Sequence, residues 1–122
     1  MSEDASSEAL KKAIVDMAVE AWRFRSTFEK AMSKLDAGES AKYLSKFSWF
    51  FKRVENALET AGMRLVILEN ERYSEGLPVT ALNIDDFEAD EPLYIDVMIE
   101  PIIMAADHIV KSGSVMLRRY EE

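Results

Sequence analysis

Apolar residues recur at steps of four and three through the first half of the chain, and at steps of two through much of the second. The first helical series is Leu10, Ile14, Met17, Ala21, Phe24, Phe28, Met32 and Leu35; the second is Leu44, Phe47, Phe51, Val54, Leu58 and Ala61. Alternating steps of four and three keep side chains on one face of a helix. The pattern therefore predicts helices over residues 8–35 and 41–61, joined by Asp36-Ala37-Gly38-Glu39-Ser40. In that hinge Gly38 is a helix stop and Ser40 a candidate N-cap. Tyr43, Trp49, Phe50 and Ala57 widen the second apolar face, and a face that wide suits a bundle of more than two helices. Residues 1–7, polar and acidic, read as a frayed tail.

Gly62 closes the second helix where a left-handed backbone is wanted, and the period then changes. Met63–Glu69 and Val79–Ile84 are rich in strand formers, separated by a loop from Asn70 to Pro78. Asp85–Pro92 is an acidic loop. From Tyr94 to Ile103 the pattern alternates, with Ile95, Val97 and Ile99 on one face and Asp96, Met98 and Glu100 on the other. Ile109–Lys111 and Ser114–Arg119, around Ser112-Gly113, read as a hairpin. The expected architecture is α+β: a tail (1–7), an antiparallel helical hairpin (8–61) and a small, mostly antiparallel β-wing (62–122) of four to six strands. One hairpin cannot enclose both apolar faces, so a homodimeric four-helix bundle is expected, with Phe24, Phe28, Phe47, Phe51, Val54 and Leu58 at its interface.

Charge narrows the partners. Residues 1–61 carry ten Lys/Arg and ten Asp/Glu, whereas residues 62–122 carry five and thirteen, so the net charge of −8 sits on the second half. Nucleic acid is not expected, because phosphate binding needs clustered Lys and Arg. No run of eighteen apolar residues occurs, so no membrane span is expected, and the N-terminus lacks the basic and apolar regions of a secretory signal. There are no cysteines, which removes disulfides and thiolate metal sites and fits a cytoplasmic location.

Candidate chemistry is sparse. The aromatic series is what packing alone requires at helical spacing, and it is read as core or interface rather than as a cofactor box. His108, the only histidine, follows Asp107, but no Ser or Cys nucleophile stands at a recognisable spacing from it. The acidic run Asp85, Asp86, Glu88, Asp90, Glu91 offers hard oxygen ligands yet lacks the glycine and regular alternation of an EF-hand loop. It is read as solvated. No enzyme, cofactor or metal site is expected.

The order of elements, with the residues that follow, resembles the GrpE family of nucleotide exchange factors for DnaK-type chaperone ATPases. The stretches Tyr43–Phe47 and Val54–Val66 are similar to the family's last bundle helix and its exit through a glycine into the first strand. Asn70–Val79 resembles the family's loop, with an aromatic residue shortly before the next strand. Ile95–Pro101 and His108–Leu117 resemble its terminal strands, with His108-Ile109-Val110-Lys111 filling a basic-apolar-apolar-basic tetrad. The chain departs from the family at Pro78, where a histidine is usual, and at Ile102-Ile103, in place of a Gly-aromatic turn. It resembles a short form lacking the long N-terminal stalk helix. The resemblance implies a homodimeric, cytoplasmic co-chaperone that binds the nucleotide-binding domain of a DnaK-type ATPase and promotes nucleotide release by binding energy alone. A dimeric adaptor of the same fold, without exchange activity, is the alternative. Either would present the β half to its partner, through Arg72, Tyr73, Leu77, Met98, Met104, His108 and Lys111, expected on the exposed loop and outward strand positions.

Overall fold

A computed structural model describes residues 2–120. The chain is α+β: a helical hairpin followed by two small three-stranded sheets. It divides into two compact units, one ending at Arg64 and the other beginning at Leu65.

The first unit holds α1 (Ser2–Met32) and α2 (Ala37–Thr60). The tail expected over residues 1–7 is helical from Ser2; Met1 lies outside the described residues. At its other end α1 tightens: Lys34 N–H bonds to Ala31 O at 3.2 Å and Leu35 N–H to Met32 O at 3.1 Å. The hinge is shorter than expected because Asp36, not Ser40, is the cap. Its backbone is extended, and its side chain accepts a hydrogen bond from Glu39 N at 3.0 Å. Gly38 consequently lies inside the first turn of α2 and stops nothing. Gly62 does follow the helix in the left-handed region, with φ 79°.

The helices meet through aromatic rings. Phe28 stacks on Phe47 with centroids 5.2 Å apart, and Trp22 meets Phe51 at 5.7 Å. The first apolar series, however, is not the buried face of α1. Val15, Ala18, Val19 and Trp22 are buried, while Leu10, Met17 and Phe24 stay 66, 72 and 52% exposed. Two apolar stripes lie on this helix; one is buried, and the other is covered only in part, with Ile14, Ala21, Phe28 and Met32 half-buried. Trp49, counted as part of the α2 apolar face, is instead 64% exposed, because residue 49 lies far round the helix from Phe47 and Phe51.

In the second unit β1 (Arg64–Val66), β4 (Ile102–Ala105) and β5 (His108–Lys111) form one sheet, in the order β1-β4-β5. The other consists of β2 (Val79–Ala81), β6 (Gly113–Arg119) and β3 (Leu93–Glu100), in the order β2-β6-β3. β3 and β6 are antiparallel, whereas β2 runs parallel to β6. Leu93, Ile95, Met98, Pro101, Ile102, Ile103, Val115 and Leu117 are buried here.

Three strand expectations need correction. The strand expected from Tyr94 to Ile103 breaks at Pro101, which has no N–H for a ladder, and becomes β3 and β4. The expected strand Val79–Ile84 stops at Ala81. There the Asn83 amide substitutes for a ladder: its Nδ2 donates to Leu117 O at 3.0 Å, and its Oδ1 accepts from Leu117 N at 2.8 Å. A short 3-10 turn, Ile84–Asp86, follows. Finally, β5 and β6 are not a hairpin. β5 pairs with β4 through a turn at Ala106-Asp107, with Ala106 at φ 53°, and Ser112 carries the chain into the other sheet. Gly113 serves close approach rather than turning: a Cβ there would lie 2.9 Å from Glu100 O.

Candidate partner-binding surfaces

The residues expected to face a partner fall into two groups on the β unit. Arg72 and Tyr73 lie on a segment that runs beside β3. Tyr73 N–H bonds to Leu93 O at 2.9 Å, Ile95 N–H bonds to Glu71 O at 2.9 Å, and Arg72 bridges to Tyr94. The segment thus occupies the outer edge of β3. Arg72 is exposed and Tyr73 half-buried; Leu77, further along the same loop, is also half-buried.

Met104, His108 and Lys111 belong to the β4–β5 hairpin, where Met104 lies opposite Ile109 and Ala105 opposite His108. His108 is exposed, while Met104 and Lys111 are half-buried. The Lys111 ammonium sits 3.8 Å from Glu100 Oε1, the oxygen that also accepts from Ser114 Oγ at 2.8 Å. Met98 belongs to neither group. It is 2% exposed, because a bulge between Ile95 and Val97 flips the alternation of β3 and turns Met98 inward. Its sulfur accepts a hydrogen bond from Leu68 N.

The sequence reading missed Ile109 and Val110, which are 47 and 41% exposed. They form an apolar step between His108 and Lys111 on β5, an outer strand of its sheet. The basic-apolar-apolar-basic tetrad contains the signal. Strand pairing occupies an edge and not a face, so neither pairing of β5 by itself says whether Ile109 and Val110 are covered.

The hairpin presents a second surface. Phe28, Phe47, Phe51 and Val54 are half-buried and Phe24 is exposed. Leu58, expected at a dimer interface, is fully buried within the single chain and offers no surface to another. A shallow apolar hollow opens between the helices, lined by Asp16, Met17, Glu20, Ala21, Phe24 and Phe50. Phe47 lies behind it, 6.4 Å from Phe24 and 5.9 Å from Phe50 between ring centroids.

The acidic loop is organised by one carboxylate. Glu91 Oε2 accepts from Glu88 N at 3.2 Å, and its other oxygen accepts from Arg119 Nε. The Glu88 backbone N–H and the Arg119 guanidinium hold the Glu91 carboxyl below its ordinary value, and partial burial opposes them. Among the described residues no three His, Cys, Asp or Glu side chains gather closely enough to hold a metal ion. No helix among the described residues is long and apolar enough to cross a membrane.

Comparison with family models, curated proteins and solved structures finds no match for this chain. The class rests on the fold alone: an α+β chain of a helical hairpin and two small sheets, with exposed apolar side chains on both units.

Proposed function

We propose that the chain is a GrpE-like co-chaperone, which binds the nucleotide-binding domain of a DnaK-type ATPase in the cytoplasm and promotes nucleotide release. In this reading it dimerises through the hairpin, binds through the β unit and has no catalytic residue of its own. Binding the open form of the ATPase in preference to the closed form lowers nucleotide affinity by thermodynamic reciprocity. One observation carries the reading: a hairpin with an uncovered aromatic edge precedes a small β unit whose tetrad exposes His108, Ile109 and Val110. That order of parts is what the sequence resemblance implies.

The adaptor reading has an observation of its own. Met98 is buried, and Tyr73 and Leu77 are half-buried, so fewer residues reach a partner than exchange was expected to use. The deciding measurement is release of a labelled nucleotide from a cognate DnaK-type ATPase, with and without this protein. Faster release that is lost in Arg72→Ala and His108→Ala, with folding retained, supports exchange. Tight binding without faster release selects the adaptor. Absence of binding refutes both.

A further inference from the structure

We propose that the outward ridge Lys42–Lys46–Trp49–Arg53 of α2 is a docking surface for an acidic amphipathic helix of a partner protein. This inference is independent of the chaperone reading and concerns a different face.

The four residues follow at steps of four, three and four, so they form one ridge along the helix. At 100° per residue the ridge lies roughly 140° round α2 from the midline of Phe47, Phe51 and Val54. It lies outside the stripe of those three residues, with Phe50 about 70° from its midline. All four side chains are exposed. Trp49 at 64% exposure is the anomaly, because the polar face of an amphipathic helix has no packing need for a tryptophan. Its ring is supported from within: the Arg53 guanidinium lies 4.8 Å from the ring centroid. A large exposed aromatic with a guanidinium at its ring, on a ridge that also carries Lys42 and Lys46, has the composition of a binding anchor.

The charges on this ridge meet rings rather than carboxylates: Arg53 lies over Trp49 and the Lys42 ammonium 5.8 Å from the Tyr43 ring centroid. Three cations of α1 pair with carboxylates of the same helix: Lys12 with Asp16 at 2.8 Å, Arg25 with Glu29 at 3.5 Å and Arg23 with Glu20 at 3.7 Å. Lys42, Lys46 and Arg53 take part in no ion pair among the described residues. Glu55 and Glu59 lie off the ridge, and Glu39 marks its N-terminal limit. A chain of net charge −8 thus holds a local strip of three unpaired cations.

The strip fits one kind of occupant. It is about 16 Å long, three turns of helix, at 1.5 Å per residue. A partner helix with carboxylates at the same steps, and one apolar side chain at the position of Trp49, matches it in both spacing and sign. A bilayer or nucleic acid presents a negative surface that recognition meets with larger clusters of Lys and Arg, and three cations are too few for it.

Trp49 reports on its own site. Trp22 is buried, so a change in tryptophan emission upon binding comes from Trp49. The probe is a synthetic alanine-based helical peptide with three glutamates and one leucine in this register, titrated into the full chain. An isomer of the same composition, with its glutamates spread round the helix, is the control for charge alone. Phosphatidylserine–phosphatidylcholine vesicles and a single-stranded thymidine oligonucleotide are the other arms. Saturable binding of the first peptide is expected, about tenfold tighter than the isomer, and weakened about tenfold by Lys46→Glu or Trp49→Ala. Lys11→Glu on α1 should leave it unchanged, and circular dichroism should show every variant folded. Equal binding of the isomer, preference for vesicles or oligonucleotide, or no saturable binding of the stripe peptide would each overturn the proposal.

Discussion

At the scale of the residue, the same amino acid serves different ends in ways that contacts decide. Gly113 and Gly76 both lie beside turn-forming residues. A Cβ on Gly113 would meet Glu100 O and Met98 Cε at 2.9 Å each, whereas one on Gly76 would meet nothing within 4 Å. Gly113→Ala should therefore cost about 1–3 kcal/mol by overpacking, while Gly76→Ala should be neutral or stabilise by a few tenths of a kcal/mol through the unfolded chain. Urea titration of the two variants checks this, and equal midpoints would contradict it. Glu91 gives a second residue-level prediction. Its carboxyl is held below its ordinary value in the folded chain by the Glu88 N–H and Arg119. A lowered folded value contributes stability that is present above the unfolded value and lost as pH falls through the folded one. Glu91→Gln should then narrow the stability difference between neutral and acid pH, with little change at the acid end. Gly62 was legible from sequence because a helix end demands a positive φ locally. The role of Gly113 was not, because its reason lies on another strand.

At the scale of the element, the helices were readable and their edges less so. Periodicity located both, but the length of α2 turns on a single cap. Asp36 takes the Glu39 N–H, and its carbonyl accepts from Ser40 N at 2.9 Å, so the helix starts at Ala37 despite Gly38. Asp36→Ala should lower stability by about 1 kcal/mol, with Ser40→Ala nearly silent; thermal unfolding of the pair distinguishes the caps. The strands show a different limit. A run of alternating residues locates a strand but neither its neighbour nor the face that is covered. β5 pairs with β4 and keeps Ile109 and Val110 exposed, and the bulge in β3 puts Met98 inside. Arg72 and His108 were legible as exposed positions because loops and short strand starts are open whatever the pairing. Trp49 follows a simpler rule: an aromatic residue in an apolar-rich helix belongs to the apolar face only when its angular position does.

At the scale of the whole molecule, the question is what covers the remaining apolar edge of the hairpin. Counting steps of three and four along α1 gave one stripe, but the helix has two, and sequence cannot say which is covered within one chain. Val15, Ala18, Val19 and Trp22 are buried already; Leu10, Met17 and Phe24 of α1 and Phe50 of α2 are exposed. An apolar strip along a helical hairpin is self-complementary under a two-fold axis, so a second copy can bury it without a new sequence. We expect sedimentation equilibrium at micromolar concentration to give a dimer. Phe24→Glu with Phe50→Glu should give a folded monomer, since each introduced charge lies at the surface of one chain and inside the interface of two. Leu58→Ala should behave differently. Leu58 is fully buried in the single chain, so its truncation should cost about 2–5 kcal/mol of folding stability and lower the thermal midpoint before it changes the dimer's mass. A monomeric wild-type chain, or a double Glu variant that remains a dimer, would place the hairpin edge outside any interface between copies.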